Sequence, residues 1–448
     1  MAKRLVVLGG GESGAGAAVL GKVKGLDVWL SDAGNIGQKY KDLLNKHGVA
    51  WEEGGHTAEK ILNADEIVKS PGIPDTAPMV AQAIAKGIPI ISEIEFAGRY
   101  TDAKMVCITG SNGKTTTTKL TYHILKKAGL NVGLAGNVGQ SLALQVATAP
   151  CDVYVIELSS FQLDNMYEFK ANVAVLLNIT PDHLDRYDYK MENYAAAKFR
   201  ITRNQTSEDY FIYWQDDPVL KAQLRQHNLE SKLLPFSAIA GSKDCAATLN
   251  DGVVQFDVDG DRWDIPRDQL SLKGIHNVYN SMAAGLSAQV LDIRKDVIRE
   301  ALADFEAVPH RLEYVDTVDG VRYINDSKAT NVDACWYALD SVNEPCVLIL
   351  GGIDKGNDYS QIEPLVKQKV SAIVCLGKDN KKLHEFFDGK VDVVTDAGSM
   401  VECMDKCRSL AKSGSTVLLS PCCASFDLFN GMADRGNQFK EYVKNLKK

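Results

Sequence analysis

Short β-branched runs that alternate with helix-length amphipathic segments constrain this chain more than any other feature. The early runs are Arg4 to Gly9, Asp27 to Ser31, Glu66 to Ser70, Met105 to Thr109, Val153 to Leu158 and Val173 to Ile179. Such alternation is the mark of βαβ units, and therefore of parallel sheets flanked by helices. The pattern restarts with Val321 to Asn325, Val347 to Gly351, Ala372 to Gly377 and Thr416 to Ser420, which predicts a further α/β sheet. Between about residues 200 and 310 the texture changes, and the Gly- and Asp-rich stretch Asn250 to Asp261 reads as added hairpins.

Two strand-to-helix junctions carry phosphate chemistry. The first strand ends in Gly9-Gly10-Gly11-Glu12-Ser13-Gly14, a G-x-G-x-x-G between strand and helix, and the next strand ends at Asp32, 18 residues after Gly14. Glycines there let backbone N–H groups and a helix N-terminus approach a nucleotide diphosphate, and Asp32 can accept from a ribose or base. The same loop also serves as a plain tight turn without a ligand. The second junction is Thr109-Gly110-Ser111-Asn112-Gly113-Lys114-Thr115-Thr116, before a helix predicted over Thr117 to Ala128. Backbone N–H groups of such a loop wrap a β-phosphate, Lys114 reaches β/γ oxygens and the Thr115 hydroxyl can ligate Mg²⁺. A full Walker pattern wants glycine where Ile108 stands, so this is a shortened variant.

Further candidates lie at strand ends, where ligands gather in open α/β sheets. Glu157 closes Val153 to Glu157 and suits a hard cation, while Asp182-His183-Leu184-Asp185 follows Val173 to Ile179. His183 taken alone reads as a helix-entry or surface histidine, and Lys198 as an ordinary surface lysine. Pro309-His310-Arg311-Leu312-Glu313, Asn325-Asp326-Ser327-Lys328-Ala329-Thr330-Asn331, Gly351-Gly352-Ile353-Asp354-Lys355 and Ser420-Pro421-Cys422-Cys423-Ala424-Ser425-Phe426-Asp427 give the last sheet a polar rim. Cations, carboxylates and hydroxyls at that density suit an amino-acid substrate and a nucleotide phosphate.

Length and composition set the frame for these motifs. At roughly 100 to 200 residues per domain, 448 residues predict three α/β domains: 1–95 Rossmann-like, 96–308 a P-loop mononucleotide-binding domain with hairpins, and 309–448 Rossmann-like. Fifty Lys plus Arg against 58 Asp plus Glu leave a charge of −8, so nucleic acid and anionic membranes are not expected partners and anions must be held locally. The run in MAKRLVVLGGGESG is too short for a signal-peptide core, and no stretch of 18 apolar residues follows. Ten cysteines lack C-x-x-C or zinc-finger spacing and read as core packing, Cys403 with Cys407 included, which fits a reducing cytoplasm.

Taken together the motifs resemble the Mur ligases of bacterial peptidoglycan synthesis over nearly the whole chain. The resemblance rests on the shortened phosphate loop, Gly136-Asn137-Val138-Gly139, Glu157-Leu158-Ser159-Ser160-Phe161-Gln162-Leu163, Asn178-Ile179-Thr180-Pro181-Asp182-His183-Leu184-Asp185, His276-Asn277-Val278-Tyr279-Asn280 and the His310 and Asp326 runs. The C-terminal motifs look like those of the D-glutamate-adding branch. The resemblance implies an ATP-dependent amide ligase that adds D-glutamate to UDP-N-acetylmuramoyl-L-alanine, acting as a cytoplasmic monomer.

It also implies residue roles. Gly110, Ser111, Asn112, Gly113, Lys114, Thr115 and Thr116 would hold ATP, with Asn277 and Asn280 on adenine and Arg311 and Asp326 on the nucleotide. Thr115, Glu157, His183 and Lys198 would hold two Mg²⁺ ions, with Lys198 N-carboxylated; Lys114, His183 and Lys198 would be catalytic. Ser13, Asp32, Ser70, Gly72 and Asn137 would bind the UDP-sugar, and Lys328, Thr330, Lys355, Ser425 and Phe426 the D-glutamate. Two positions depart from the family pattern: Ile353 stands where an aspartate is sometimes found, and Met432 where an aromatic is common. A hinge is expected near Val308. Competing classes are a nicotinamide-dependent oxidoreductase, which leaves the phosphate loop idle; a nucleotide switch, which leaves the last domain's rim idle; and folylpolyglutamate synthase, which leaves the first 95 residues unexplained.

Overall fold

The runs of β-branched residues form three sheets, each with helices packed on it. The computed structural model describes residues 2–182, 184–239, 241–306, 309–342 and 345–446. The first sheet is parallel, in the order Ala50–Glu52, Asp27–Ser31, Arg4–Leu8, Glu66–Lys69, Ile90–Ile91. The second has nine strands: Asp261–Pro266, Val253–Val258, Ala247–Asn250, Lys232–Ser237, Tyr210–Trp214, Val173–Leu176, Lys104–Thr109, Val153–Glu157, Val132–Gly136. Its three outermost strands are the hairpins expected around Asn250 to Asp261, and they pair antiparallel. The third sheet runs Glu313–Val318, Val321–Asn325, Thr416–Cys422, Cys346–Gly351, Val370–Leu376, Val393–Ala397, parallel except for the antiparallel first pair.

Val153–Glu157 is buried at every position because helices cover both faces of its sheet, which is why the sequence there shows no alternation. Val173–Leu176 stops three residues short of the expected Ile179. Leu177 to Thr180 leave the sheet to bond the phosphate loop instead: Leu177 N donates to Thr109 O, and Ser111 N donates to Asn178 O. The following helix starts earlier than expected, at Lys114, and runs to Lys127. Gly113, at φ 84°, turns the chain into it, a left-handed conformation that costs glycine little.

The contacts divide the chain into two compact units, 1–270 with 278–305, and 271–277 with 306–448. In the first unit the helix Glu12–Val23 packs on Leu142–Thr148, and the fit depends on Gly16, where a Cβ would sit 2.0 Å from Ser141 Oγ. Buried Glu93 fastens the same contact, accepting from Ser141 Oγ at 2.7 Å and Ala143 N at 2.6 Å. One apolar core runs from Leu5 through Phe96, Tyr154 and Phe199 to Leu220. The second unit buries Cys335, Leu348 and Leu418 on one face of its sheet and Val347, Cys403, Cys407 and Phe439 on the other. Among the described residues no helix is long and apolar enough to cross a membrane.

Candidate functional site

Strand order sets the geometry of the phosphate loop. Lys104–Thr109 lies between Val153–Glu157 and Val173–Leu176, so Glu157 and Asn178 flank the loop from opposite sides. Asn178 holds it most directly: its Oδ1 accepts from Asn112 N at 2.8 Å and its Nδ2 donates to Asn112 O at 3.1 Å. Ser111 Oγ donates to Thr180 O at 2.8 Å and lies 3.1 Å from the Tyr194 hydroxyl. Gly110 has φ 149°, and a Cβ on Gly113 would sit 2.4 Å from Asn280 Oδ1, so neither glycine can be replaced without displacing the loop. Asn280 also accepts from Thr117 Oγ1 at 3.1 Å, which places this distant residue against the loop. Asn277, one turn earlier on the helix Ile275–Gln289, donates from Nδ2 to Lys273 O at 2.8 Å.

Two lysines converge on one carbonyl. Lys114 Nζ donates to Gly110 O at 2.7 Å and Ser111 O at 2.9 Å, while Lys198 Nζ donates to Gly110 O at 2.8 Å. Lys198 is therefore no surface lysine: it is 1% exposed, on the helix Met191–Phe199, with its ammonium 4.6 Å from the centre of the Tyr194 ring. Burial, and then the neighbouring Lys114 charge, hold its amine well below the ordinary lysine range. Glu157 is 1% exposed; Oε1 accepts from Asn137 Nδ2 at 2.8 Å, and Oε2 is buried with no hydrogen-bond partner among the described residues. An orphaned carboxylate oxygen beside a phosphate loop and the buried Thr115 hydroxyl form a hard-oxygen donor set that fits Mg²⁺. His183, and the hinge at Val308, lie outside the described residues.

The first glycine loop is closed by close packing. Gly14 is obligatory, since a Cβ there would lie 1.8 Å from Gly9 O. Asp32 accepts from Gly10 N at 2.6 Å and Gly34 N at 2.8 Å, so in this structure its carboxylate braces the loop. Asp32, Ser70 and Gly72 are partly or fully exposed just beyond the ends of two central strands of the first sheet, and Ser13 is partly exposed in the first turn of the helix Glu12–Val23. Asn137 belongs to the other loop, bonded to Glu157. Lys69, which sequence reasoning passed over, is buried; it donates to Ile73 O at 2.7 Å and pairs with Asp75 at 2.8 Å, shaping the turn that contains Ser70 and Gly72.

In the second unit the polar runs meet at the ends of three adjacent strands, Val321–Asn325, Thr416–Cys422 and Cys346–Gly351. Asp326 accepts from Leu312 N at 3.1 Å and Ser420 Oγ at 3.0 Å; burial pushes its carboxyl up to about 7, against the opposing pull of these bonds and Arg311. Ser425 is buried, Phe426 and Lys355 are exposed, and Lys328 N donates to His310 O. Asp354 is occupied structurally, accepting from Tyr359, Gly356, Asn357 and Lys382. Arg435 was not foreseen. Fully buried, it donates to Ser327 Oγ and O, Cys423 O and Gly351 O, tying together the loops that carry Lys328 and Thr330, Lys355, and Ser425 and Phe426. Its only sequence signal is an arginine inside an amphipathic helix, which usually marks a solvent face.

Comparison with known proteins places this geometry. Family models match as "Mur ligase MurD-like, N-terminal domain" over residues 3–92, "Mur ligase middle domain" over 108–288 and "Mur ligase, glutamate ligase domain" over 310–423. Proteins named UDP-N-acetylmuramoylalanine–D-glutamate ligase are 62% identical in Bacteroides fragilis and 60% in Bacteroides thetaiotaomicron, each over 99% of this chain and 100% of the relative. One in Porphyromonas gingivalis is 58% identical over 99% of this chain and 98% of the relative. Solved structures share the fold: a pseudomurein peptide ligase type C from Methanothermus fervidus (TM-score 0.63, 21% identity, 98% of this chain and 100% of that one). Another is UDP-N-acetylmuramate-alanine ligase from Thermotoga maritima (TM-score 0.61, 19% identity, 99% and 100%). With three family domains matched in order and relatives aligned end to end, the chain belongs to the Mur ligase family.

Proposed function

We propose that this protein joins D-glutamate to the alanyl carboxylate of UDP-N-acetylmuramoyl-L-alanine, using ATP, in the cytoplasm, with domains at 1–95, 96–308 and 309–448 for UDP-sugar, ATP and amino acid. The observation that carries the reading is the convergence of Lys114, Lys198 and Glu157 on a shortened phosphate loop, in a chain up to 62% identical to proteins of that name. Carboxylate oxygen of the sugar substrate attacks the γ-phosphorus of ATP, ADP leaves, and the resulting acyl phosphate is attacked by the D-glutamate amine, which loses a proton as phosphate departs.

The chain's own groups supply positioning and charge. Loop N–H groups from Gly110 to Thr116 hold the phosphates. Lys114 leaves its two carbonyls and follows the γ-phosphoryl oxygens. Asn277 and Asn280 take adenine, and Arg311 and Asp326 the rest of the nucleotide. Thr115 and Glu157 are the residues here that would hold Mg²⁺, which when bound neutralises phosphate charge. Lys198, buried with its amine held well below the ordinary lysine range, is suited to add to CO₂ in its neutral form: its nitrogen forms the N–C bond, a proton goes to solvent, and the carbamate becomes an anionic ligand. Ser13, Asp32, Ser70, Gly72 and Asn137 bind the UDP-sugar. Lys328, Thr330, Lys355, Ser425 and Phe426 bind D-glutamate, on loops that Arg435 fixes.

Phosphate release measured across a panel of UDP-muramoyl substrates and D- or L-amino acids tests this reading. Release that requires both UDP-N-acetylmuramoyl-L-alanine and D-glutamate is expected. Turnover with L-glutamate and a folate but not D-glutamate, or phosphate release lacking either substrate, overturns it.

A further inference from the structure

A further cluster of ligating side chains lies on the last two strands of the C-terminal sheet. Cys375 on Val370–Leu376 and Asp396 on Val393–Ala397 are register partners in parallel neighbouring strands, so their side chains leave the sheet on one face. His384, on the helix Lys381–Phe387, comes down on that face. Cys375 Sγ, a His384 ring nitrogen and an Asp396 oxygen all lie within 4.8 Å of one another. His384 Nε2 is 3.0 Å from Asp396 Oδ1, and its Nδ1 is 3.0 Å from Asp388 Oδ1.

A histidine with one nitrogen turned to a donor set and the other on a carboxylate has the carboxylate–histidine–metal arrangement, in which the outer carboxylate fixes tautomer and ring angle. A neighbouring amide braces the two strands at this point. Asn380 donates from Nδ2 to Asp396 Oδ1 at 2.9 Å, to Cys375 O at 3.2 Å and to Gly377 O at 3.2 Å. In the metal-bound form one thiolate, one carboxylate and an imidazole that has given up its Nε2 proton offset a dication's charge, and sulfur with nitrogen selects zinc-class metals over Mg²⁺.

We propose that Cys375, His384 and Asp396 form a binding site for a divalent transition metal of the zinc class, with Asp388 orienting His384. The site does not depend on the ligase reading. Binding forms the metal–sulfur and metal–nitrogen bonds and releases to buffer both the Cys375 thiol proton and the proton between His384 Nε2 and Asp396 Oδ1. Metal here would anchor the turn 377–380, whose Lys378 N donates to Asp427 at 3.1 Å.

The test is titration of the chelator-stripped full chain with Co²⁺, read by the thiolate-to-cobalt charge-transfer band, followed by displacement with Zn²⁺. One equivalent with a thiolate band is expected, lost in Cys375→Ala. Asp396→Asn changes an exposed side chain and keeps the fold, so its loss of binding reports the ligand; Asp388→Asn should weaken binding about 10–100-fold. No thiolate band at stoichiometric Co²⁺, or a band unchanged in Cys375→Ala and Asp396→Asn, overturns the site; circular dichroism of each variant separates lost metal from lost fold.

Discussion

Replacing Glu93 by Gln should stabilise the first unit at neutral and alkaline pH and do little in acid. Glu93 is buried, and burial raises its carboxyl from an ordinary 4.5 to about 7, despite the bonds from Ala143 N and Ser141 Oγ. The folded state thus holds the proton more tightly than the unfolded state. Where the folded protein binds more protons, stability falls as pH rises, so between pH 4.5 and 7 the native protein loses stability through this group. A shift of that size, at about 1.4 kcal/mol per pH unit, corresponds to roughly 3 kcal/mol. Glutamine keeps an acceptor oxygen for both donors, so packing and bonding at the helix Leu142–Thr148 survive and only ionisation is removed. Urea unfolding of both proteins at about pH 4.5 and pH 8, monitored on the first unit, gives the double difference, in which every other titrating group cancels. An advantage for the variant that grows by about 2–4 kcal/mol from acid to alkaline pH is expected. A difference independent of pH would refute the argument that an uncompensated charge sits at this contact.

Lys114→Ala should lower kcat at least about 100-fold without altering circular dichroism, because it removes the cation that follows the transferring phosphoryl group. Lys198→Ala should lose activity and recover part of it with added small carboxylates; full activity of the simple variant would remove the carbamate from the mechanism. Glu157→Gln should raise the Mg²⁺ concentration for half-maximal ATP turnover by about tenfold or more, since the orphaned oxygen becomes an amide; an unchanged Mg²⁺ dependence would move the metal elsewhere. Phe256→Ala should cost about 3–5 kcal/mol by denaturant unfolding, as Phe256 is 1% exposed and stacks on Trp263 at 3.9 Å; a loss under about 1 kcal/mol would mean that the hairpins contribute little to the core.

The sequence by itself determined the α/β class, the two glycine loops, the added hairpins and the family. Local patterns suffice for these, because a βαβ crossover, a positive-φ glycine and a lysine at a helix start are specified within about ten residues of chain. Tertiary structure decided what each polar group faces. Lys198 looks like a surface lysine on its own helix, and only the packing of that helix against Gly110 makes it a buried amine. Asp32 looks like a free ligand group, and its strand's neighbours turn it into a brace for Gly10 and Gly34. Arg435 reads as a solvent face until three loops close over it, and the Cys375, His384 and Asp396 cluster is invisible at any fixed spacing. The reason is common to all four. Desolvation and pairing depend on neighbours brought from far along the chain, which local spacing does not encode.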